Sequence, residues 1–386
     1  MAAGEKLEVV IHSCTSQSYS GLENYALDLA TWQYRQGKPV ELFCREGTKL
    51  DELAQKRGLP VWTIGHDVNP GPFLWAKMRA KWASRLQGGN VTLHMHAGGE
   101  PMFHLPWLLK RSDALVKTVL HFHIWINHKK KDPLHRLIYR GVDEVWTSSE
   151  TARAHLATLL PVTREKIRVV PYGRDVSALL SAPAKQWRGE MRTRFGIKED
   201  DVVGVCVSRL EKIKGVGELF EAFTQVAPRF DKAHLVIVGD ASPNNPEAKA
   251  FADDLHARHQ KLSPDVRARL HLPGYMNEAL HMIAAADFYV LPSYEECMSL
   301  AMLDAAILGL PILGTSAGGT PAVARPDETG MLVPPGDAPA LAAALEKLYA
   351  NPENCRKLGE GARALGPSFN QENIFNQIWN WYAVDA

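Results

Sequence analysis

The sequence has few cysteines and no C-x-x-C pair. Cys14, Cys44, Cys206, Cys297 and Cys355 are five, scattered and odd in number, which argues against a disulfide framework or a cysteine zinc site and for a reducing compartment. No uncharged apolar run reaches the roughly 18–20 residues that a membrane span needs. The first residues lack the charged-then-apolar layout of a secretion signal. A cytoplasmic protein is expected. The dinucleotide fingerprint G-x-G-x-x-G is also missing, since "GVGELF" (215–220) has the first two glycines and not the third. No nucleic-acid-binding module is recognisable and the charge is split between the halves, so nucleic acid is not an expected partner.

What is present is an ordinary globular composition: 386 residues, 46% hydrophobic and 23% charged, enough for two or three domains with cores that need no staples. The net charge of +1 is uneven, with residues 1–178 at +7 and the remainder at −6. Either the surface varies at random or the first half faces anions, such as an acidic lipid surface or an anionic acceptor. Short β-rich runs alternate with amphipathic stretches: "LEVVIHS" (7–13), "PVELFC" (39–44), "VTLHMH" (91–96), "VKTVLHFH" (116–123), "EVWTSS" (144–149) and "IRVVPYG" (167–173). A second series follows, with "VVGVCVSR" (202–209), "HLVIVGD" (234–240), "RLHLPGY" (269–275), "DFYVLPS" (287–293) and "LPILGTS" (310–316). Continuous Val/Ile/Leu runs separated by helices predict buried parallel strands. Two series predict an α/β chain of two Rossmann-like domains facing across a cleft, residues 1–178 and 190–366. A final amphipathic helix is expected at 372–386.

Ligands of open α/β sheets lie at the carboxyl ends of strands, so the segments just beyond them carry the candidates. In "PSYEECMSLAMLDAA" (292–306), Glu296 follows a strand and "SLAMLDAAILG" reads as a helix ending at Gly309. The helix start is a ready anion site, with Glu296 and Asp304 placed to accept hydroxyls on either side. In "SRLEKIKG" (208–215), Arg209 and Lys214 can reach a diphosphate, one by a fork and one as a point charge. Gly21 in "SGLENYALDLA" (20–30) permits close backbone approach at a strand–helix junction. Taken singly, each has an ordinary explanation: a loop Glu, a helical Asp, a solvated Arg–Lys pair.

Together the segments resemble the GT-B retaining glycosyltransferases of family 4 (group 1). "SGLE" (20–23) matches the glycine turn and "SRLEKIKG" the G-R-L-x-x-x-K-G run. "PSYEECMSLAMLD" matches P-S-x-x-E-G-F-G-L-x-x-L-E. "GLPILGTSAGGTP" (309–321), "GMLVPPGD" (330–337), "TVLHFH", "DEVWTSSE" (143–150) and "IRVVPYGRD" (167–175) match further segments in order. The resemblance implies that Arg209 and Lys214 hold a diphosphate and that Glu296 contacts the donor sugar. It places the backbone of Met298, Ser299 and Leu300 near sugar and phosphate, and Asp304 where a Glu usually binds the ribose. His123 would lie near sugar and acceptor, and Gly21 near the phosphate. The last helix (370–386) would return to the first domain. The chain departs from the pattern at Ser208, at "CMS" (297–299) for G-F-G, at Asp304 for Glu, at Ala322 for an acid and at Tyr172 for Asn.

The implied function is transfer of a sugar from a nucleotide-diphosphate sugar to a hydroxyl of a glycan or lipid-linked acceptor, with retention, in polysaccharide or lipopolysaccharide synthesis. No cofactor and no metal are expected, because Arg209, Lys214 and the helix end would stabilise the leaving phosphate. Two other readings use the same architecture: a nucleotide-sugar 2-epimerase, and a non-catalytic sugar-nucleotide binder. Seven of fifteen histidines fall between 94 and 135. Such residues suit zinc, yet His94/His96 and His121/His123 share strand faces and also suit a polar cleft, and His123 is singled out. "FLWAKMRAKWASRL" (73–86) and "WINHKKKDPLHRLIYR" (125–140) are basic and aromatic, which suits an anionic membrane surface or glycolipid and a peripheral location.

Overall fold

A computed structural model of the chain describes residues 9–76, 91–97, 99–105, 108, 115–242 and 245–382. Most of the basic stretch 73–86 lies outside them. The chain forms two compact units, Met1–Gly173 with Gln371–Ala386, and Arg174–Asn370.

The first unit is built on a seven-stranded parallel sheet: β1 (Val9–Cys14), β2 (Val40–Arg45), β3 (Val61–Ile64), β4 (Val91–Met95), β5 (Leu115–Phe122), β6 (Glu144–Thr147) and β7 (Ile167–Val169). Its spatial order is β3-β2-β1-β4-β5-β6-β7, so the winding reverses between β1 and β4. The second unit has β8 (Val202–Val207), β9 (Ala233–Val238), β10 (Leu270–Gly274), β11 (Phe288–Leu291), β12 (Ile312–Thr315) and β13 (Gly330–Val333) in the order β10-β9-β8-β11-β12-β13. Here the reversal falls between β8 and β11. Strands such as "AHLVIV" and "FYVL" are buried along their whole length, as a sheet covered on both faces requires. The expected architecture of two Rossmann-like sheets is thus present. β3 and β13 are additional edge strands of four residues each.

The helix Gln371–Tyr382 belongs to the first unit, burying Ile374, Phe375, Ile378 and Tyr382. Phe375 meets Tyr25 and Trp32 edge-on at 5.9 and 5.7 Å, and Tyr382 stacks on Trp146 at 5.8 Å. A polar clamp closes the same helix. Lys117 donates to the Trp381 carbonyl, and Arg168 lies 4.7 Å over the Trp381 ring. Glu144 holds both cations at 2.8 Å. Burial works against charge on Glu144, but hydrogen bonds from Arg168, Lys117 and Trp146 prevail and bring its pKa down to about 2. Gly173 is required where the chain comes back: a Cβ there would lie 2.7 Å from the Gln371 Cα.

The interval 175–190, which carries few strand signals, folds as the helix Val176–Ser181 and the start of Ala184–Phe195. The latter is fixed by Asp287. Its carboxylate accepts from Arg188 at 3.0 Å, from Arg192 at 2.8 Å and from the Val203 amide at 2.8 Å, while Arg192 is buried. Replacing Asp287 by Ala leaves that guanidinium without its counter-charge. Denaturant titration of Asp287→Ala is expected to show a loss of about 3 kcal/mol; a loss under about 0.5 kcal/mol would show that the pair does not hold the helix.

Candidate active site

In the second unit the winding reversal between β8 and β11 brings two segments together. Beyond β8 run Arg209 and Lys214; beyond β11 runs the Glu296 loop. Lys214 Nζ donates to Glu296 Oε2 at 2.8 Å, both side chains being largely buried. Arg209 is more exposed and donates to Glu211 at 2.9 Å and to Ser242 at 2.7 Å. Each cation therefore rests on a carboxylate of its own unit. Gly215, with φ of 65°, starts the next helix against Pro292, whose carbonyl oxygen would be 1.9 Å from a Cβ. Gly318 (φ 56°) lies equally close under Glu296, and the Gly319 amide donates to the Glu296 carbonyl at 2.9 Å. The A-G-G turn of 317–319 is thus the mould of the Glu296 loop.

The helix Leu300–Leu308 begins at Ser299, whose hydroxyl accepts from the Met302 amide at 3.2 Å, and ends at Gly309 with φ of 88°. Among the described residues, no protein acceptor takes the amide hydrogens of Met298, Ser299 and Leu300. Those of Ser299 and Leu300 are orphan donors of the helix start, at its positive dipole end, and that of Met298 lies one residue before it. Cys297 and Met298 are buried, so the side chains that replace G-F-G turn inward instead of covering those amides. Asp304 differs from expectation. Arg174 forks onto it at 2.6 and 2.8 Å, because the guanidinium enters beside the helix where the chain crosses into this unit. Asp304 is thus a shared carboxylate and not an open one.

In the first unit, Gly21 is exposed at the start of the helix Gly21–Arg35, and Glu23 caps it by accepting from the Ser20 amide at 2.7 Å. His123 lies just beyond β5 and presents no free nitrogen. It joins a buried chain, with His12 Nε2 to Gln33 Oε1 at 2.9 Å, His12 Nδ1 to His96 Nε2 at 2.9 Å, His96 Nδ1 to His123 Nε2 at 3.1 Å, and His123 Nδ1 to the Tyr172 hydroxyl at 2.8 Å. Since Gln33 Oε1 only accepts, His12 donates through Nε2, then His96 and His123 do the same in turn, and Tyr172 donates last. A parallel branch runs from Tyr382 to His94 Nδ1 at 2.6 Å and from His94 Nε2 to His121 Nδ1 at 3.3 Å.

Family comparison now bears on this arrangement. The family described as "Glycosyl transferases group 1" matches residues 188–365, and "Glycosyltransferase Family 4" matches residues 19–178. The chain belongs to the family 4, group 1 glycosyltransferases. It is 28% identical over 382 residues to the N-acetyl-alpha-D-glucosaminyl L-malate synthase of Bacillus anthracis, covering 97% of this chain and 84% of that one. It is 25% identical to the alpha-D-kanosaminyltransferase of Streptomyces kanamyceticus, over 80% of this chain and 83% of that one. A solved structure of Anabaena HepE in complex with UDP and glucose superposes with a TM-score of 0.79 at 19% identity, covering 97% and 99% of the two chains. The enzyme is thus a hexosyltransferase of GT-B fold.

In this glycosyltransferase Arg209, Lys214, Glu296, Met298, Ser299 and Leu300 all lie at the carboxyl edge of the second sheet, while Gly21 and His123 lie at that of the first. Sequence reasoning missed Arg174, Glu211 and Ser242, which hold site residues, and His12, Gln33 and Tyr382, which complete the imidazole cluster. The His12 signal was available in "VVIHSC", where one polar ring interrupts a buried strand.

Burial depresses every member of the cluster. His12 is lowered to about 4, and His94, His96, His121 and His123 sit well below the ordinary value, while His104, a separate buried ring bonded to Ser13, is lowered to about 3. The unfolded chain takes up protons below a pH of about 6.5 that the folded unit refuses, at about 1.4 kcal/mol per pH unit for each histidine. Stability is therefore full above that pH and falls as acid is added. Amide exchange in β1, β4 and β5 should show the first unit opening cooperatively between pH about 6 and 5. Protection that persists to pH 4 is incompatible with a neutral buried cluster.

Proposed function

We propose that the enzyme transfers a sugar, with retention of configuration, from a nucleoside-diphosphate sugar to a hydroxyl of a glycan or lipid-linked acceptor in cell-envelope polysaccharide or lipopolysaccharide synthesis. The observation that carries this reading is the Lys214–Glu296 contact at the β8/β11 reversal, with Arg209 on the same loop beyond β8 and three unpaired amides after Glu296. That is where an open α/β sheet binds its ligand, and the charges suit a diphosphate. The Anabaena protein has also been solved with UDP-glucose, and one structural relative is a lipopolysaccharide outer core galactosyltransferase (TM-score 0.68, 15% identity).

In the proposed reaction the bond from the anomeric carbon to the β-phosphate oxygen breaks, and the acceptor oxygen bonds to that carbon on the same face. The acceptor proton passes to the departing phosphate oxygen. Lys214, Arg209 and the amides of Met298–Leu300 stabilise the charge left on the phosphate, acting as donors fixed before the reaction begins. On arrival of the diphosphate Lys214 exchanges Glu296 for phosphate, which frees Glu296 to accept from sugar hydroxyls. Asp304 reaches the ribose only while shared with Arg174. Both nitrogens of His123 are occupied, so it shapes the acceptor side and takes no part as a base.

Lys214→Ala is expected to lower kcat about 100-fold or more, with unchanged far-ultraviolet circular dichroism, and Arg209→Ala to lower it less because that side chain is half in solvent. Near-normal turnover of both variants with every nucleotide sugar that the wild type uses would remove the diphosphate from this place.

The acceptor side rests on the helix Pro133–Arg140. Leu134 and Leu137 are exposed one turn apart, and Lys131, Pro133, Arg136, Leu137 and Arg140 line a shallow groove. Among the described residues no helix is long and apolar enough to cross a membrane, so this face supports peripheral docking on anionic lipid or a phosphorylated glycolipid. Vesicles of phosphatidylglycerol should bind the enzyme in a salt-sensitive way, with phosphatidylcholine as control. Replacing Arg136 and Arg140 by Gln should weaken binding about 10-fold, and equal binding to both vesicle types would exclude the surface.

A further inference from the structure

We propose that His96, His121 and His123 form a binding site for one transition-metal ion that favours imidazole, with zinc and cobalt as the leading candidates. The three rings lie on and just beyond the neighbouring strands β4 and β5, at or near full burial. Each offers a ring nitrogen within 4.8 Å of the other two. His96 Nδ1 and His123 Nε2 are 3.1 Å apart. Two nitrogens bound to one zinc at tetrahedral angle stand about 3.4 Å apart, so this pair of rings needs to part by only a few tenths of an ångström, and His121 closes in from within 4.8 Å.

Nitrogen bookkeeping favours the ion. Without it, His121 Nε2 is a buried polar atom with no hydrogen-bond partner, which costs about 1–3 kcal/mol. With it, every ring nitrogen of five histidines is used. The ion takes His96 Nδ1, His121 Nε2 and His123 Nε2. His123 then changes tautomer and donates through Nδ1 to the Tyr172 oxygen. His121 donates through Nδ1 to His94 Nε2, and His94 donates through Nδ1 to Tyr382. His96 keeps its bond to His12, and His12 keeps its bond to Gln33. Each ligand ring is thereby held on its outer nitrogen by a second group, as metal-binding histidines usually are. A second buried atom without a partner, the Tyr25 hydroxyl, belongs to a ring 5.1 Å from His123 and 5.7 Å from His121. The other triad, His12, His94 and His96, also lies within 4.8 Å, but an ion there would take a nitrogen of His94 from Tyr382 or His121 and would leave His121 Nε2 unpaired.

The site is independent of the leaving-phosphate chemistry, which is assigned to the second unit. The test uses the untagged full chain, dialysed against a chelator and then titrated with Co²⁺ or Zn²⁺. One ion per chain is expected, with visible d–d bands of a nitrogen-ligated cobalt and a melting temperature raised by several degrees in zinc. His121→Phe should weaken binding about 100-fold, while His128→Gln, on the exposed surface, should not change it. Because His121→Phe can itself disturb the core, X-ray absorption at the zinc edge of the wild type serves as the second measurement, and three imidazoles in the first shell are expected. Wild type that binds less than about 0.1 ion per chain at micromolar metal, binding abolished by His128→Gln, or an absorption spectrum with fewer than three imidazoles would each overturn the proposal.

Discussion

A parallel sheet covered on both faces has no solvated face on which to place polar side chains, and this constraint governs the whole molecule. Strands such as "AHLVIV" and "FYVL" are buried from end to end, so reactive groups collect where the strands stop. Winding adds a direction. Between β8 and β11 the crossovers leave to opposite sides, and the gap they open is filled by the Lys214 turn and the Glu296 loop. Glycines at 215 and 318 make the closeness possible, since a single methyl group at either would strike a backbone carbonyl.

The same constraint explains what could be read before any coordinates. Apolar runs broken by helices marked eleven of the thirteen strands, because burial on both faces leaves a continuous signature. The Leu300–Leu308 helix was legible to within a residue, from its start beyond Ser299 to its stop at Gly309, because caps are local chemistry. Partnerships were not legible. Nothing local to Asp304 announces Arg174, which lies 130 positions away in sequence, and nothing local to Lys214 announces that it rests on Glu296. Such pairs depend on how crossovers stack, a property that spacing along the chain does not encode.

The imidazole cluster is the exception to the rule of polar edges. Five rings and three hydroxyl or amide partners sit inside the first unit, at a cost that only a closed hydrogen-bond network or an ion can offset. The alternation of histidines along β4 and β5 was visible, but its meaning depended on His12, Gln33, Tyr172 and Tyr382, which four separate segments supply. Tyr172 shows how one departure from the family pattern becomes intelligible: its hydroxyl is the end of the chain that orients His123.

Gly173 and Gln371 touch, with no room for even a β-carbon between them, and the first residue beyond, Arg174, bonds through its amide to the Phe369 carbonyl at 2.7 Å. Topologically, residues 174–370 are therefore a guest inserted into a host whose cut ends already meet. The entropy of closing that large loop is met by a few local contacts. Each of the two units closes its own sheet without borrowing a strand from the other.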